Sequence, residues 1–152
     1  MKKIKIYIKS ILMPVIIGGI VGIINSSSID YNSLAKPFLA PPSIAFPIVW
    51  TILYILIGVS YGILKSKKLT NSEIDLIYYI QLGVNSLWSI FFFLAKWRLF
   101  SFIWIIILAI LIIVMIFKFY NKDKVAGLLQ IPYLLWVLFA SYLNIAIYIL
   151  NK

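Results

Sequence analysis

Five long apolar runs, separated by short clusters of charged residues, divide this chain. A helix needs about 20 residues to cross roughly 30 Å of hydrocarbon, and each run has about that length. The runs lie near residues 6–24, 44–64, 74–94, 99–117 and 125–150, and a proline-rich loop, 26–43, joins the first two. The sequence therefore predicts an all-α integral membrane protein, a five-transmembrane-helix bundle that forms a single domain over 1–152.

The composition supports a membrane protein rather than a soluble one. Hydrophobic residues make up 64% of the chain and charged residues 12%, whereas soluble domains have about 45–50% and roughly 25%. The first run follows lysines, as a signal peptide would, but it is long and lacks a small-residue cleavage site. We therefore interpret it as a retained span.

The net charge of +10 predicts an orientation rather than a nucleic-acid partner, because the basic residues sit between the apolar runs. With five spans, one side of the membrane collects ten lysines: Lys2, Lys3, Lys5, Lys9, Lys65, Lys67, Lys68, Lys118, Lys122 and Lys124. The other side has four basic residues: Lys36, Lys96, Arg98 and Lys152. This bias predicts a cytoplasmic N-terminus, with the first loop and the C-terminus outside. The Ile- and Lys-rich composition is typical of AT-rich bacterial genomes and favours the cell membrane.

The chain contains no cysteine and no histidine, which narrows its possible chemistry. Disulfides, thiol catalysis, cysteine-ligated metals and a histidine general base are excluded, and we expect no metal site. Good haem ligands are scarce, since only Tyr and Met are available. Away from their ends, the spans also lack the carboxylates and lysines on which energised transporters depend, which argues against a transporter of that class.

The proline-rich loop and the run after it predict a ligand pocket. Pro41 and Pro42 stiffen the connection, and Pro47 falls near the start of the second helix, where proline costs least. Trp50 and Tyr54 then recur at helical spacing on one face. The fourth run is almost entirely Ile, Leu and Phe, and we expect it to face lipid.

Polar and aromatic residues inside the spans are the candidates for the other walls. The second span has Trp50, Thr51, Tyr54 and Tyr61. The third span has Gln81, Asn85 and Trp88 on one face, and the fifth has Tyr133, Trp136, Ala140 and Asn144 on one face. Aromatic walls with a few amide and phenol groups are the usual composition of a small-molecule site. Two interpretations stay open for Gln81 and Asn85, because such groups also join helices by hydrogen bonds. For Trp50 and Trp136 the alternative is anchoring at the membrane interface.

Glycine pairs in the first two spans predict where helices approach closely. Gly18 and Gly22 have the small-xxx-small spacing in the first span, and Gly58 and Gly62 have it in the second.

Three segments of the chain, in order, carry a family resemblance: YNSLAKPFLAPPSIAFPIVWTILYILIG at 31–58, QLGVNSLWSIFFF at 81–93 and PYLLWVLFASYLNIAIYILN at 132–151. Together they resemble the tryptophan-rich sensory protein/translocator protein (TspO/MBR) family, the peripheral-type benzodiazepine receptors. The proline-rich part of the first segment departs from the family pattern at Leu39 and Ile44, where tryptophans are common. Ile145 and Ile149 stand where the family's sterol motif has Tyr and Arg, so sterol binding is not expected.

The resemblance implies a five-helix bundle whose pocket opens toward the first loop and binds porphyrins such as protoporphyrin IX, isoquinoline-carboxamides and benzodiazepines. Ligand-contacting positions would correspond to Tyr31, Pro42, Tyr54, Gln81, Asn85, Trp88, Ala140 and Asn144. Some bacterial members promote light-dependent porphyrin breakdown, attributed to two tryptophans that correspond to Trp50 and Trp136. Bacterial members also often form homodimers.

Three functional hypotheses follow. The first is a membrane receptor or sensor that binds a metal-free porphyrin and drug-like ligands, with membrane lipid around it and no covalent cofactor. The second is an enzyme-like, light-dependent degradation of porphyrin through Trp50 and Trp136. The third is a transporter of small molecules or lipids, which the missing intramembrane charges weaken.

Overall fold

The computed structural model describes residues 1–26 and 30–152, and the regular elements in those ranges are all helical. They are α1 (Lys2–Asn25), a 3-10 turn (Tyr31–Ser33), α2 (Ala45–Ser66), α3 (Ser72–Ser89) with a π-helical extension (Ile90–Leu94), α4 (Arg98–Lys122), α5 (Lys124–Leu128) and α6 (Ile131–Asn151). Within these described ranges, five helical segments are long and apolar enough to cross a membrane, with α5 and α6 forming one of them. The predicted fold class, an all-α membrane protein with five spanning helices, is confirmed. Within the predicted loop 26–43, residues 27–29 lie outside the described ranges.

The fifth span is broken near its start, where the sequence predicted one continuous run from 125 to 150. The break falls at Leu129 and Gln130, between α5 and α6. Pro132 lies in the first turn of α6. Its ring nitrogen carries no hydrogen for the bond to a carbonyl four residues earlier, so the helix restarts there.

The break leaves a buried amide without partners, and this predicts a stabilising substitution. Gln130 is fully buried, and neither its Nε2 nor its Oε1 has a hydrogen-bond partner among the described residues. Replacing a buried, unpaired polar group with an apolar one of similar shape removes a desolvation cost of about 1–3 kcal/mol. We therefore expect Gln130→Met to raise the free energy of unfolding in detergent by about 1–2 kcal/mol. A lower midpoint of unfolding would contradict this account of Gln130.

The α1–α2 interface depends on the second glycine pair rather than on the first. A Cβ atom at Gly58 would lie 2.5 Å from the Cα of Ile11, and one at Gly62 would lie 2.8 Å from the Tyr7 ring. The backbones of the two helices therefore approach so closely that a side chain at Gly58 is excluded. In the first pair only Gly18 lies at a close contact. A Cβ at Gly18 would overlap the ring of Tyr54, whereas one at Gly22 would meet nothing within 4 Å.

Helix α4 is not purely lipid-facing, so that expectation is wrong for one face of the helix. Ile105, Leu108, Ile112 and Met115 are fully buried, whereas Phe117 and many of its neighbours remain exposed. The buried residues recur at helical spacing and pack with α3 and α6. The purely apolar sequence gave no contrast by which the two faces could be distinguished.

The described part of the proline-rich loop is tied to α6 by hydrogen bonds. The amide of Asn151 accepts from the backbone N–H of Ala35 at 3.0 Å and donates to its carbonyl at 2.9 Å. The Tyr142 hydroxyl donates to the Phe38 carbonyl at 2.7 Å. These contacts fix the loop across the end of the bundle at which α1 ends and α2 begins.

Candidate functional site

A cavity of about 400 Å³ lies between α1, α2 and α3 on the side of the proline-rich loop. Its volume is within the range of about 300–1,000 Å³ that is usual for small-molecule sites. Its aromatic lining consists of Tyr31, Phe46, Trp50, Tyr54, Trp88 and Phe93. No lysine, arginine, aspartate or glutamate is among the described lining residues. The cavity is therefore an uncharged site suited to a largely apolar molecule.

The aromatic wall on α2 is built from two stacked rings. The centroids of Trp50 and Tyr54 are 5.5 Å apart with an interplanar angle of 29°. The ring of Tyr133 on α6 packs edge-on against the Trp50 ring, with 6.3 Å between the ring centroids. This arrangement holds the Trp50 ring in place and presents a flat apolar surface to the cavity.

Tyr31 closes part of the loop end of the cavity. Its ring meets Phe46 edge-on at 5.0 Å, and its hydroxyl donates to the Pro41 carbonyl at 2.6 Å. Burial raises the pKa of Tyr31 above its ordinary value, so the phenol stays protonated at neutral pH.

The opposite wall is α1, which the sequence did not indicate as part of the site. It contributes Val15, Gly18, Gly19, Val21, Gly22 and Asn25. The glycines leave the space that the cavity occupies, since a Cβ at Gly19 or Gly22 would meet nothing within 4 Å. The three glycines in five residues were the available signal, but their spacing also fits a helix-packing motif.

Gln81 and Asn85 belong to a buried hydrogen-bond network that joins α3 to α6. The Tyr133 hydroxyl donates to Gln81 Oε1 at 2.8 Å and accepts from Asn85 Nδ2 at 2.8 Å. Gln81 Nε2 donates to the Tyr78 carbonyl at 2.9 Å. Asn85 also lines the large cavity, whereas Gln81 does not. The contacts of Gln81 are those of a helix-joining residue.

Asn144 has a similar position between three helices. Its Oδ1 accepts from Trp88 Nε1 at 2.9 Å, and its Nδ2 donates to the Arg98 carbonyl at 2.7 Å. The Ser101 hydroxyl lies 3.0 Å from the same Oδ1. Asn144 and Ala140 line a second space of about 10 Å³, which is about the minimum that holds one water molecule.

Two further predicted residues lie away from the cavity lining. Trp136 packs behind Phe46, with 6.0 Å between ring centroids, and its Nε1 is buried without a partner among the described residues. Pro42 is exposed, and its carbonyl accepts from the N–H of Ala45 at the start of α2.

Half of the predicted ligand-binding residues thus lie on one cavity. They are Tyr31, Trp50, Tyr54, Asn85 and Trp88. Whether any of the ten binds a ligand remains a prediction.

Comparisons with known proteins agree with this architecture. The model of the TspO/MBR family matches residues 10–150. The chain is 41% identical over 147 residues to the Tryptophan-rich protein TspO of Archaeoglobus fulgidus, which covers 95% of each chain. It is 33% identical over 115 residues to the Tryptophan-rich sensory protein of Cereibacter sphaeroides, covering 75% of this chain and 72% of that one. It is 32% identical over 146 residues to the Translocator protein homolog of Schizosaccharomyces pombe, covering 92% and 88%. The chain therefore belongs to the TspO/MBR family.

Proposed function

We propose that this multi-pass membrane protein is a receptor or sensor that binds a flat, hydrophobic tetrapyrrole of the porphyrin class in the cavity between α1, α2 and α3. The observation that carries the proposal is the uncharged cavity of about 400 Å³ with the stacked rings of Trp50 and Tyr54 on one wall. A planar conjugated ligand stacks on such a surface and is removed from water by it. The same cavity would accept isoquinoline-carboxamide and benzodiazepine-type ligands.

The residue types favour a metal-free porphyrin over haem. The sequence contains neither histidine nor cysteine, which are two of the side chains that most often ligate haem iron. A ring without a central metal is held by stacking and apolar contact alone, which the lining supplies.

We expect Trp50 to contribute more to ligand affinity than Trp136, because only Trp50 lines the cavity. Trp50→Ala removes one stacking surface and should weaken porphyrin binding about tenfold or more, equivalent to about 1.4 kcal/mol or more. Trp136→Ala acts only through Phe46 and should change the dissociation constant by about threefold or less. Equilibrium titration in the dark, followed by porphyrin fluorescence, measures both. Equal losses in the two variants would contradict this placement of the ligand.

A second candidate function is light-dependent porphyrin degradation, and the position of Trp50 on the cavity wall favours it. An excited porphyrin beside this ring accepts one electron from the indole, which leaves a porphyrin radical anion and an indole radical cation. Trp50→Phe should then abolish bleaching in light while dark binding persists. Trp136→Phe should bleach at nearly the wild-type rate, and the opposite order would contradict the assignment to Trp50.

The orientation is proposed from charge. The lysine-rich end of the bundle carries the ion pair between Lys67 Nζ and Asp123 Oδ2, 2.6 Å apart. The hydrogen bond from Lys67, together with the N–H of Ala126, holds the pKa of Asp123 below its ordinary value, so the pair stays charged at neutral pH. We place this end in the cytoplasm and the loop outside a bacterial cell membrane. A homodimer is also proposed, and cross-linking in native membranes tests it.

A further inference from the structure

We infer that ligands reach the cavity from the lipid bilayer, through an opening between α1 and α2 near the loop end of the bundle. The opening is defined by Gly19 and Gly22 on α1 and by Pro47 and Thr51 on α2. All four residues line the cavity, and each has a large exposed fraction. The cavity therefore reaches the protein surface along this pair of helices. The inference rests on the proposed function. It adds that the ligands are molecules that dissolve in the bilayer.

The packing of the two helices explains why a gap forms there. The antiparallel α1 and α2 are in close contact at Gly58 and Gly62, and again where Gly18 meets the ring of Tyr54. One turn further toward the loop, the antiparallel register that pairs Gly18 with Tyr54 brings Gly22 near the level of Thr51. A Cβ at Gly22 would meet nothing within 4 Å. The two helices are thus tightly packed between Tyr54 and the end of the bundle away from the loop. Between Tyr54 and the loop they are less closely packed.

The opposite side of α1 is closed in the same region. Asn25 Nδ2 donates to Ser89 Oγ at 3.0 Å and so joins α1 to α3 beyond Gly22. This bond spans the α1–α3 contact, whereas no side-chain hydrogen bond between α1 and α2 exists at that level among the described residues. At this level the described side chains therefore join α1 to α3 by a hydrogen bond and do not join it to α2.

The rim of the opening is apolar, which indicates lipid rather than water outside it. Ile20 and Ile23 on α1 are 53% and 76% exposed, and Ile48 and Ile52 on α2 are 55% and 54% exposed. Branched aliphatic side chains at this exposure match a hydrocarbon environment. At 1.5 Å per residue, Gly22 lies roughly 5 Å and Gly19 roughly 9 Å from the end of α1, within the outer part of the span.

The inference is tested by cross-linking the opening shut with a ligand inside the cavity. Because the sequence contains no cysteine, a thiol reagent reacts only with cysteines that are introduced. In a Gly22→Cys/Thr51→Cys variant, a cleavable bifunctional thiol reagent joins the two helices across the opening. The probe is a free-base porphyrin, and its release into excess empty liposomes is followed in the dark. We expect release from protein loaded before cross-linking to slow by about tenfold or more and to recover when the reagent is cleaved. Protein cross-linked before loading should take up the probe correspondingly slowly.

A second cysteine pair provides the matched control for access beneath the loop. Ala35 and Asn151 already share two hydrogen bonds, so in an Ala35→Cys/Asn151→Cys variant the same bifunctional thiol reagent joins the loop to α6. We expect this cross-link to leave the release rate unchanged. Slower release with the cross-linked loop, or unchanged release with the cross-linked helices, would overturn the inference while leaving the proposed function intact. If the uncross-linked variants and the wild type show no saturable porphyrin binding, the proposed function and this inference both fail.

Discussion

Replacing Gly58 with leucine is expected to produce the largest loss of stability of any single change in α2. A Cβ at this position would lie 2.5 Å from the Cα of Ile11 and 2.6 Å from the carbonyl oxygen of Ser10. Both atoms belong to the α1 backbone, so no side chain can rotate away and the whole helix must move. Overpacking of this kind costs about 1–3 kcal/mol or more. Unfolding in detergent, followed by circular dichroism, measures the loss.

The same substitution should also impair ligand binding, because α1 forms one wall of the cavity. Gly83→Leu is the matched control, since Gly83 is exposed on α3 and a Cβ there meets nothing within 4 Å. We expect Gly83→Leu to retain both the wild-type unfolding midpoint and porphyrin binding. Equal midpoints for the two variants would show that the close approach at Gly58 is not needed for the fold.

Replacing Asn144 with leucine is expected to destabilise the bundle by about 1–3 kcal/mol, because it leaves the buried indole N–H of Trp88 on α3 without its partner. The Arg98 carbonyl also loses the hydrogen bond from Asn144, but it still accepts from the Ser101 hydroxyl at 3.0 Å. The matched control is Asn121→Leu, which makes the same chemical change at an exposed position near the end of α4. Chemical denaturation of the two variants in detergent gives the comparison.

This experiment also separates the two roles considered for Asn144. If Asn144 only joins helices, replacing it lowers the free energy of unfolding, and ligand affinity falls only because the structure is lost. A ligand-contacting residue, as the family resemblance implies, lowers affinity in protein that is still stable. Full stability together with weakened binding in Asn144→Leu would therefore refute the structural role.

The helices were predictable from the sequence because the signals for them are local. The apolar runs set the spans, and the charged clusters between them set the turns. The break at Leu129 was not predicted, because the run from Val125 to Leu150 contains no charged residue that would mark a turn. Pro132 is also compatible both with the first turn of a helix and with a kink inside one. The buried face of α4 was missed because its exposed and buried residues are chemically alike.

The cavity was predicted only in part, because its walls depend on how the helices are arranged. Trp50 and Tyr54 were recognised from their spacing on one helix. Helical spacing alone could not show that Trp136 packs behind Phe46. Nor could it show that the Tyr133 hydroxyl forms hydrogen bonds with both Gln81 and Asn85. The α1 wall consists of three glycines, two valines and Asn25 at the end of the helix, so sequence reasoning based on polar and aromatic residues inside the spans could not find it.

The central claim, a porphyrin site between α1, α2 and α3, is tested most directly by filling that cavity. Ser89 lines it, so Ser89→Phe places a ring inside, whereas Gly83→Phe places the same ring on the exposed face of α3. A free-base porphyrin is titrated into each protein in the dark, and the quenching of tryptophan fluorescence is followed. We predict saturable one-site quenching for the wild type and Gly83→Phe, with affinity reduced about tenfold or more in Ser89→Phe. Linear quenching, or equal affinity in all three proteins, would contradict the claim.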